Sequence, residues 1–483
     1  MSDADRVAER LLQGMNDFAA GTSPVAERLR QGMSNLVSGN SGPTVDHLFQ
    51  GVPPPSAPPP MDVQQGDLME FPKDTDHTGS EVPAQAPWEL SSQLDAGLRF
   101  FLSIRNCHGL YFDKLMFGGG GSPLSTSATG FGLIALAISA ERNVLNRASA
   151  LNLALQTLRS IRGGSGFAIA RSPNGFMAHW PDDHGNADGE LSTIDTAILV
   201  LGALFAANYF DESRELRTLA VSLATSVHWE DALIHADEQG LPGMSLQITR
   251  DGSGLGVTRP FNEYYLLAFC GAYVETKLLQ SPDGRASRFF WQNFAEPPST
   301  RSNYWGHELL SDHPERFLPS FVVQFCFYLS GHFHQSQQYR EFMEAAYKAD
   351  RLFWEKANPD GSVWGSGAGA YPERFGENPD DPYGYKATAI DENDALVYSA
   401  PILAGYLHFH PEENGRKLED WHRMNDGCKY ILPSGDTVLW RASVTHPGWR
   451  APSLEVVDFS TLVLGLAHQV LGEAFFIKYA PAL

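Results

Sequence analysis

Ten carboxylates define the chemistry open to this chain. Glu190 and Asp195 head one apolar run, Glu263 a second, Asp391, Glu392 and Asp394 a third, and Glu455 and Asp458 a fourth; Asp182 and Asp183 lie in the loop before Glu190. Two carboxyl groups in a cleft poor in water can divide the work of opening a glycosidic bond. One, its pKa raised by burial or by a like charge, protonates the leaving oxygen, and the other activates water or attacks carbon. Glu263, following Asn262 at the start of an apolar run, is the first candidate for the acid. A Glu that merely complements a helix dipole is the alternative. Glu190 is the second candidate carboxylate. Asp394 ranks ahead of Asp436 and Asp458 as a base because it stands at an expected helix mouth. Asp183 and Asp458 are candidate partners for sugar hydroxyls, and Asp195 either joins them or braces Ser192 or a neighbouring helix.

Aromatic faces would complete such a site, since pyranose C–H faces pack on flat rings while the hydroxyls need fixed polar partners. Tyr264, Trp364 and Tyr371 are the leading candidates, with Trp180, Trp305, Tyr383 and Trp449 in or near similar loops; each can equally be ordinary packing. Arg374 and Lys386 could hold hydroxyls or pair with local acids. Other chemistries are poorly supplied: there is no GxSxG elbow, no P-loop and no complete dinucleotide fingerprint. The glycine run Gly118–Gly121 has no lysine at P-loop spacing and suits a loop over the cleft. The 16 histidines include no HExxH, so no metal and no cofactor is expected. The four cysteines, Cys107, Cys270, Cys326 and Cys428, lack CxxC spacing and are expected as free thiols.

The carboxylates are positioned by six runs of one design, a short polar cluster leading into an almost wholly apolar segment. The runs begin near Ser125, Ser192, Pro260, Pro319, Asp391 and Glu455. A helix apolar all round must be buried on every side, and none reaches the roughly 18 unbroken apolar residues of a membrane span. Between them, 146–162, 212–227, 335–354 and 412–430 mix charge with apolar residues at 3–4 spacing, the mark of helices with one face in water. Apolar helices alternating with amphipathic ones predict an (α/α)6 barrel, all-α, with an acidic mouth; a large irregular bundle is the bland alternative.

The chain has 483 residues, 43% hydrophobic and 19% charged, with a formal net charge of −22. That charge argues against nucleic acid and anionic membranes as partners. Residues 1–87 differ from the rest. They carry a polyproline stretch at 53–60 and a repeat, VAERLLQGM at 7–15 and VAERLRQGM at 25–33. The expectation is a disordered tail ahead of a barrel domain at 88–483, with the repeats docking a protein partner multivalently. The start, MSDADRVAERLLQGM, has no apolar core of signal-peptide length, which predicts a cytoplasmic protein or one exported without a cleaved signal.

SATGFGLIALAISAERN, ELSTIDTAILVLGALFAANYF and FNEYYLL resemble the glucoamylase-like (α/α)6 domain of endo-β-1,2-glucanases (glycoside hydrolase families 144, 162 and relatives) and cyclic β-1,2-glucan synthases. The resemblance runs from about residue 90 to the C-terminus, and Trp364-Gly365 is similar to the family's Trp-Gly segment. Phe321 to Phe333 stands where the family has HQYS…IDFR, with different residues, and the stretch from Asp394 to Glu412 lacks the letters GTIAP. The resemblance implies cleavage within a β-glucan, most of all a β-1,2-glucan, with Glu263 matching an essential Glu. A cyclising or branching transglycosylase and an inactive carbohydrate-binding or scaffold protein are the alternatives. A terpene-type cyclase would need a DxDD motif, which DEND at 391–394 does not supply.

Overall fold

The structure, a computed structural model, describes residues 89–483 apart from 120, 164–166, 188, 296–299, 373–383 and 425. The expected tail, with its repeats and polyproline stretch, lies outside the described residues, as do Arg374 and Tyr383. The described residues form fourteen α-helices: α1 (Leu90–Ser103), α2 (Thr126–Glu141), α3 (Arg147–Ile161), α4 (Thr193–Tyr209), α5 (Arg214–Thr225), α6 (Tyr265–Tyr273), α7 (Arg285–Asn293), α8 (Ser320–Leu329), α9 (Gly331–Gln335), α10 (Gln337–Ala357), α11 (Ala400–Gly405), α12 (Pro411–Met424), α13 (Val456–Leu471) and α14 (Glu473–Tyr479).

The six apolar runs form the inner ring. Helix α2 packs on α4, α4 on α6, α6 on α8, α8 on α11, α11 on α13, and α13 closes back onto α2. Helix α4 is buried at every position but one, Asn208; such helices have no solvent-tolerant face and can be satisfied only by mutual burial. The amphipathic helices α1, α3, α5, α7, α10 and α12 pack outside them, which gives the predicted (α/α)6 barrel. Two outer helices, α1 and α7, are additions to the four read from the sequence.

Helix starts differ from expectation. Among the inner helices only the first two carry a side-chain cap: Ser125 Oγ accepts from Ala128 N, and Ser192 Oγ from Asp195 N at 3.2 Å. The fifth begins later than expected: Val397–Ser399 is a strand, and the helix starts at Ala400 with Pro401 in its first turn. Proline fits a first turn, where its missing N–H is not needed, and would break the interior of a helix starting at Asp391. The outer helix expected over 412–430 ends at Met424, because Lys429–Ile431 pairs with Thr437–Leu439 around a turn at 433–435. No cysteine forms a disulfide among the described residues, and no single helix among them is long and apolar enough to cross a membrane.

Two features of the core are directly testable. Helices α2 and α4 cross with backbones touching at Gly130 and Gly202; a Cβ on Gly202 would overlap the Gly130 carbonyl, and one on Gly130 the Ile198 carbonyl. Backbone cannot yield as a side chain can, so Gly202→Ala should cost about 1–3 kcal/mol or more, read from urea unfolding. Elsewhere in the core, Phe327 is stacked on by His334 at 4.2 Å and His408 at 4.9 Å, and His468 lies 5.2 Å from His334 between ring centroids. Burial, aided by nearby Arg340, holds His334 down to about 3; burial also brings His468 to about 4, against a small opposing pull from Glu473. Below pH ~6.5 the unfolded chain therefore takes up protons that the folded chain refuses, and stability falls by about 1.4 kcal/mol per pH unit for each histidine until pH ~4. Relative to the wild type, His334→Phe should therefore gain stability as pH falls from 7 to 5, the difference between their urea midpoints widening over that range.

Candidate active site

Backbone hydrogen bonds tie the starts of the inner helices into one rim. The segment 365–370 passes three of them: Ser366 O accepts from Ser320 N, Gly365 O from Ser399 N, and Ala368 N donates to Asp458. On the other side, Thr126 N donates to His179 O. A ring of apolar helices with their N-termini on one rim puts low dielectric and positive dipole ends beneath any acid held there.

Around the start of α4, His179 joins two acids. Its Nδ1 lies 2.8 Å from Glu190 Oε1 and its Nε2 3.6 Å from Asp195 Oδ2. The second Glu190 oxygen accepts from Gln247 Nε2 at 2.6 Å, and Asp195 Oδ2 accepts from Ser192 Oγ at 2.5 Å. Burial works against a charge on His179, but Asp195 and Glu190 outweigh it and raise its pKa. With both ring nitrogens turned to carboxylates, a protonated His179 would bridge the two acids. The three residues are close enough together to be considered as metal ligands, and His179 would have to give up a ring proton to serve as one.

Glu263 stands two residues before α6. Its neighbour Asn262 is locked, accepting from Tyr264 N at 3.0 Å and donating to Thr258 Oγ1. Burial raises the Glu263 carboxyl to about 7, with Asp312 and Asp195 adding like-charge repulsion. Asp312 is itself raised by burial, and its Oδ1 is buried without a hydrogen-bond partner. Glu263 is therefore about half protonated at pH 7 and mostly protonated below it, as a general acid must be to react.

Across the rim, a fully buried arginine is set among acids. Arg441 Nη2 donates to Gly367 O at 3.3 Å, while its Nε and Nη1 have no partner. Asp458 accepts from Ala368 N at 3.0 Å and Ser399 Oγ at 2.6 Å; burial raises its pKa and Arg441 opposes the rise. Glu455 accepts from Ala370 N at 3.1 Å and from Ser453 Oγ. Gly369, at φ 142°, leaves the space that Arg441 Nη1 and Glu455 need; a Cβ there would overlap both. A cavity of about 790 Å³ is lined by Phe112, Lys114, Gly121, Trp180 and Asp183 among others. It lies beside the carboxylates rather than over them, and adjoins them through Trp180, which stacks on His179 at 3.7 Å.

No family model matches the chain, and no curated protein matches it. Solved structures do. A glucoamylase-like protein from Bacteroides uniformis superposes with a TM-score of 0.63 at 18% identity, covering 82% of this chain and 95% of its own. The endo-β-1,2-glucanase of Chitinophaga pinensis, in complex with sophorotriose and glucose, gives 0.63 at 16% identity, covering 80% and 94%. The endo-β-1,2-glucanase of Talaromyces funiculosus, in complex with sophorose, gives 0.54 at 12% identity, covering 80% and 85%. The fold is the glucoamylase-like (α/α)6 barrel. These neighbours are the group that the ELSTIDTA and FNEYYLL blocks resemble.

On this barrel the site residues expected from sequence fall into two sets. Glu190, Asp195, Glu263 and Tyr264 come together: the Tyr264 hydroxyl is close enough to Glu263, Asp195 and Glu190 to feel their charge. Asp183 is exposed on the wall of the neighbouring cavity. The others depart from expectation. Asp394 is not at a helix mouth; it precedes the strand Val397–Ser399, its side chain is 75% exposed, and its neighbour is Lys386 at 3.9 Å. Trp364 is packed between Tyr347 and Tyr406, with 3% exposure. Tyr371 is fully buried, its hydroxyl accepting from Ala395 N at 2.6 Å. Asp458 is fully buried with both oxygens occupied. Buried rings and satisfied carboxylates offer no surface to a sugar, so these three act in the scaffold. Asp436 is bound by Arg99 at 2.7 Å. Sequence reading missed His179, Gln247, Asp312 and Arg441, which lie in strands and loops without helical periodicity. The visible signal for His179 was a histidine preceding Trp180 in an acid-rich loop. Replacing Arg441 would leave Glu455 and Asp458 buried without their cation, so Arg441→Met should cost about 3–5 kcal/mol in urea unfolding.

Proposed function

We propose that this chain is a glycoside hydrolase that cuts within β-glucan, with β-1,2-linked glucan as its substrate. The observation that carries the reading is Glu263, a carboxyl raised to about 7 by burial at the barrel mouth, beside a second cluster of acids at Glu190 and Asp195. Glycosidic cleavage needs a proton donor that survives at neutral pH, and Glu263 has the environment to be one. The exposed face of Trp180 and the free carboxylate of Asp183, on the adjoining cavity wall, suit a sugar ring and its hydroxyls. The β-1,2 linkage rests on the blocks around Glu190 and Glu263 and on the fold shared with two enzymes described as endo-β-1,2-glucanases.

Purified protein should release short β-1,2-oligosaccharides from linear β-1,2-glucan and leave β-1,3- and β-1,4-glucans intact. Glu263→Gln should lower kcat by about 10²–10⁴. Because the acid must be protonated, kcat/KM should fall tenfold per pH unit above about 7. Binding of the glucan without cleavage by the wild type would instead support a carbohydrate-binding protein.

A further inference from the structure

A proton donor at Glu263 needs a second group that activates water. The rim acids differ in how fully their oxygens are occupied. Glu190 is held by His179 and Gln247, Glu455 by Ala370 N and Ser453, and Asp458 by Ala368 N and Ser399. Asp394 and Asp436 face Lys386 and Arg99. A carboxylate with both oxygens already hydrogen-bonded is a poorer acceptor for a further proton than one with neither.

Asp113 is different. It sits at the seam where the inner ring closes. The strand Tyr111–Phe112 before it pairs with Leu124–Ser125, which leads into α2; the strand Lys114–Met116 after it pairs with Ser453–Glu455, which leads into α13. Its own backbone is fastened to both helices, with N–H donating to Pro123 O at 2.8 Å and C=O accepting from Val456 N at 2.9 Å. The backbone is thus fixed on the rim, while the carboxyl makes no hydrogen bond to another residue among the described residues. It lies close enough to His179, Glu455, Lys114 and Asp195 for each to act on its charge. In ring order Asp113 stands between α13 and α2, Asp195 at α4, and Glu263 at α6. Asp113 and Glu263 each feel Asp195, so the two lie on either side of it. A sugar over Asp195 and Glu190 would have Glu263 on one side and Asp113 on the other.

We infer that Asp113 is the general base of this hydrolase, drawing the proton from the water that attacks the anomeric carbon. The inference rests on the glycoside hydrolase reading above. As the water oxygen bonds to the anomeric carbon, its proton passes to the Asp113 carboxylate. The bond from that carbon to the leaving oxygen breaks, and the leaving oxygen takes the Glu263 proton. Asp113 then returns its proton to solvent and Glu263 regains one. This single displacement inverts configuration, so the new reducing end of a β-glucan is first released as the α-anomer. Burial, reinforced by Glu455 and Asp195 and opposed by His179 and Lys114, raises the Asp113 carboxyl to about 6. It is therefore ionised while Glu263 is still protonated between about 6 and 7, the order a base and an acid acting together require.

The test uses the full-length protein and linear β-1,2-glucan, with NMR of freshly released ends and far-UV circular dichroism of every variant. The expected results are α-anomers first from the wild type, a fall in kcat of about 10²–10⁴ in Asp113→Asn with KM within a few-fold, and loss of the acidic limb of the pH profile while the limb from Glu263 remains. Asp113→Ala should regain turnover with added azide, giving an α-glycosyl azide, a product that a misfolded variant cannot form. β-Anomers first, more than a tenth of wild-type kcat in Asp113→Asn, or a loss that azide does not rescue would each overturn the inference while leaving the hydrolase standing. Wild-type protein that opens no glucan would overturn both.

Discussion

The structure depends on one constraint: six helices without a solvent-tolerant face must be hidden from water together. A closed ring achieves this, each inner helix touching two others and an outer layer covering the rest. The short strands that lead into several inner helices tie their starts to neighbouring segments. Where α2 and α4 meet at Gly130 and Gly202, the requirement is strict enough that backbone touches backbone. The amphipathic outer helices follow from the same constraint, since each needs only one buried stripe.

Closing the ring has an electrostatic consequence. The polar clusters that begin the apolar runs are gathered onto one rim, above a core of low dielectric. Acids placed there repel one another and lose hydration, which drives their pKa values up unless something compensates. The chain compensates selectively. Arg441 lies among Asp458, Glu455 and the backbone of 367–370; His179 holds Glu190 and Asp195. Away from the rim, Asp350 in α10 is satisfied by Ser320 and Ser366. Burial still raises Asp350 and Asp458; Glu263 and Asp113, also raised, differ in making no side-chain hydrogen bond to another residue among the described residues. A satisfied buried acid belongs to the scaffold, and an unsatisfied one at a mouth is available for reaction.

The same distinction explains why the fold alone says little about chemistry. At 12–18% identity the neighbouring structures share the barrel, and a barrel of this kind can support different reactions through the residues on its rim. In this chain the rim carries His179 stacked on Trp180, Asp312 beside Glu263, and Asp113 at the ring's closing seam.

The inner ring was legible in the sequence because a run apolar on every side has one physical solution, and because Ser125 and Ser192 carry their cap chemistry locally. Glu263 and Glu190 were legible for a related reason: an acid directly ahead of such a run must come to the mouth when the run is buried. Asp394, Trp364, Tyr371 and Asp458 were misplaced because residue type and position along the chain do not say which side chains find partners. Pro401 delayed a helix and took Asp394 away from the mouth; Tyr347 and Tyr406 enclosed Trp364; Ser399 and Ala368 satisfied Asp458. Asp113, His179, Asp312 and Arg441 sit in short strands and loops, where nothing periodic announces them. By itself the sequence determined that a closed helical ring with an acidic rim would form, since burial of apolar surface is a local property summed along the chain. Only the tertiary structure decided which acids would be neutralised and which left exposed to a substrate, because hydrogen-bond partners and charge neighbours come from separate segments, 57 residues apart for Gln247 and Glu190 and 90 for Ala368 and Asp458.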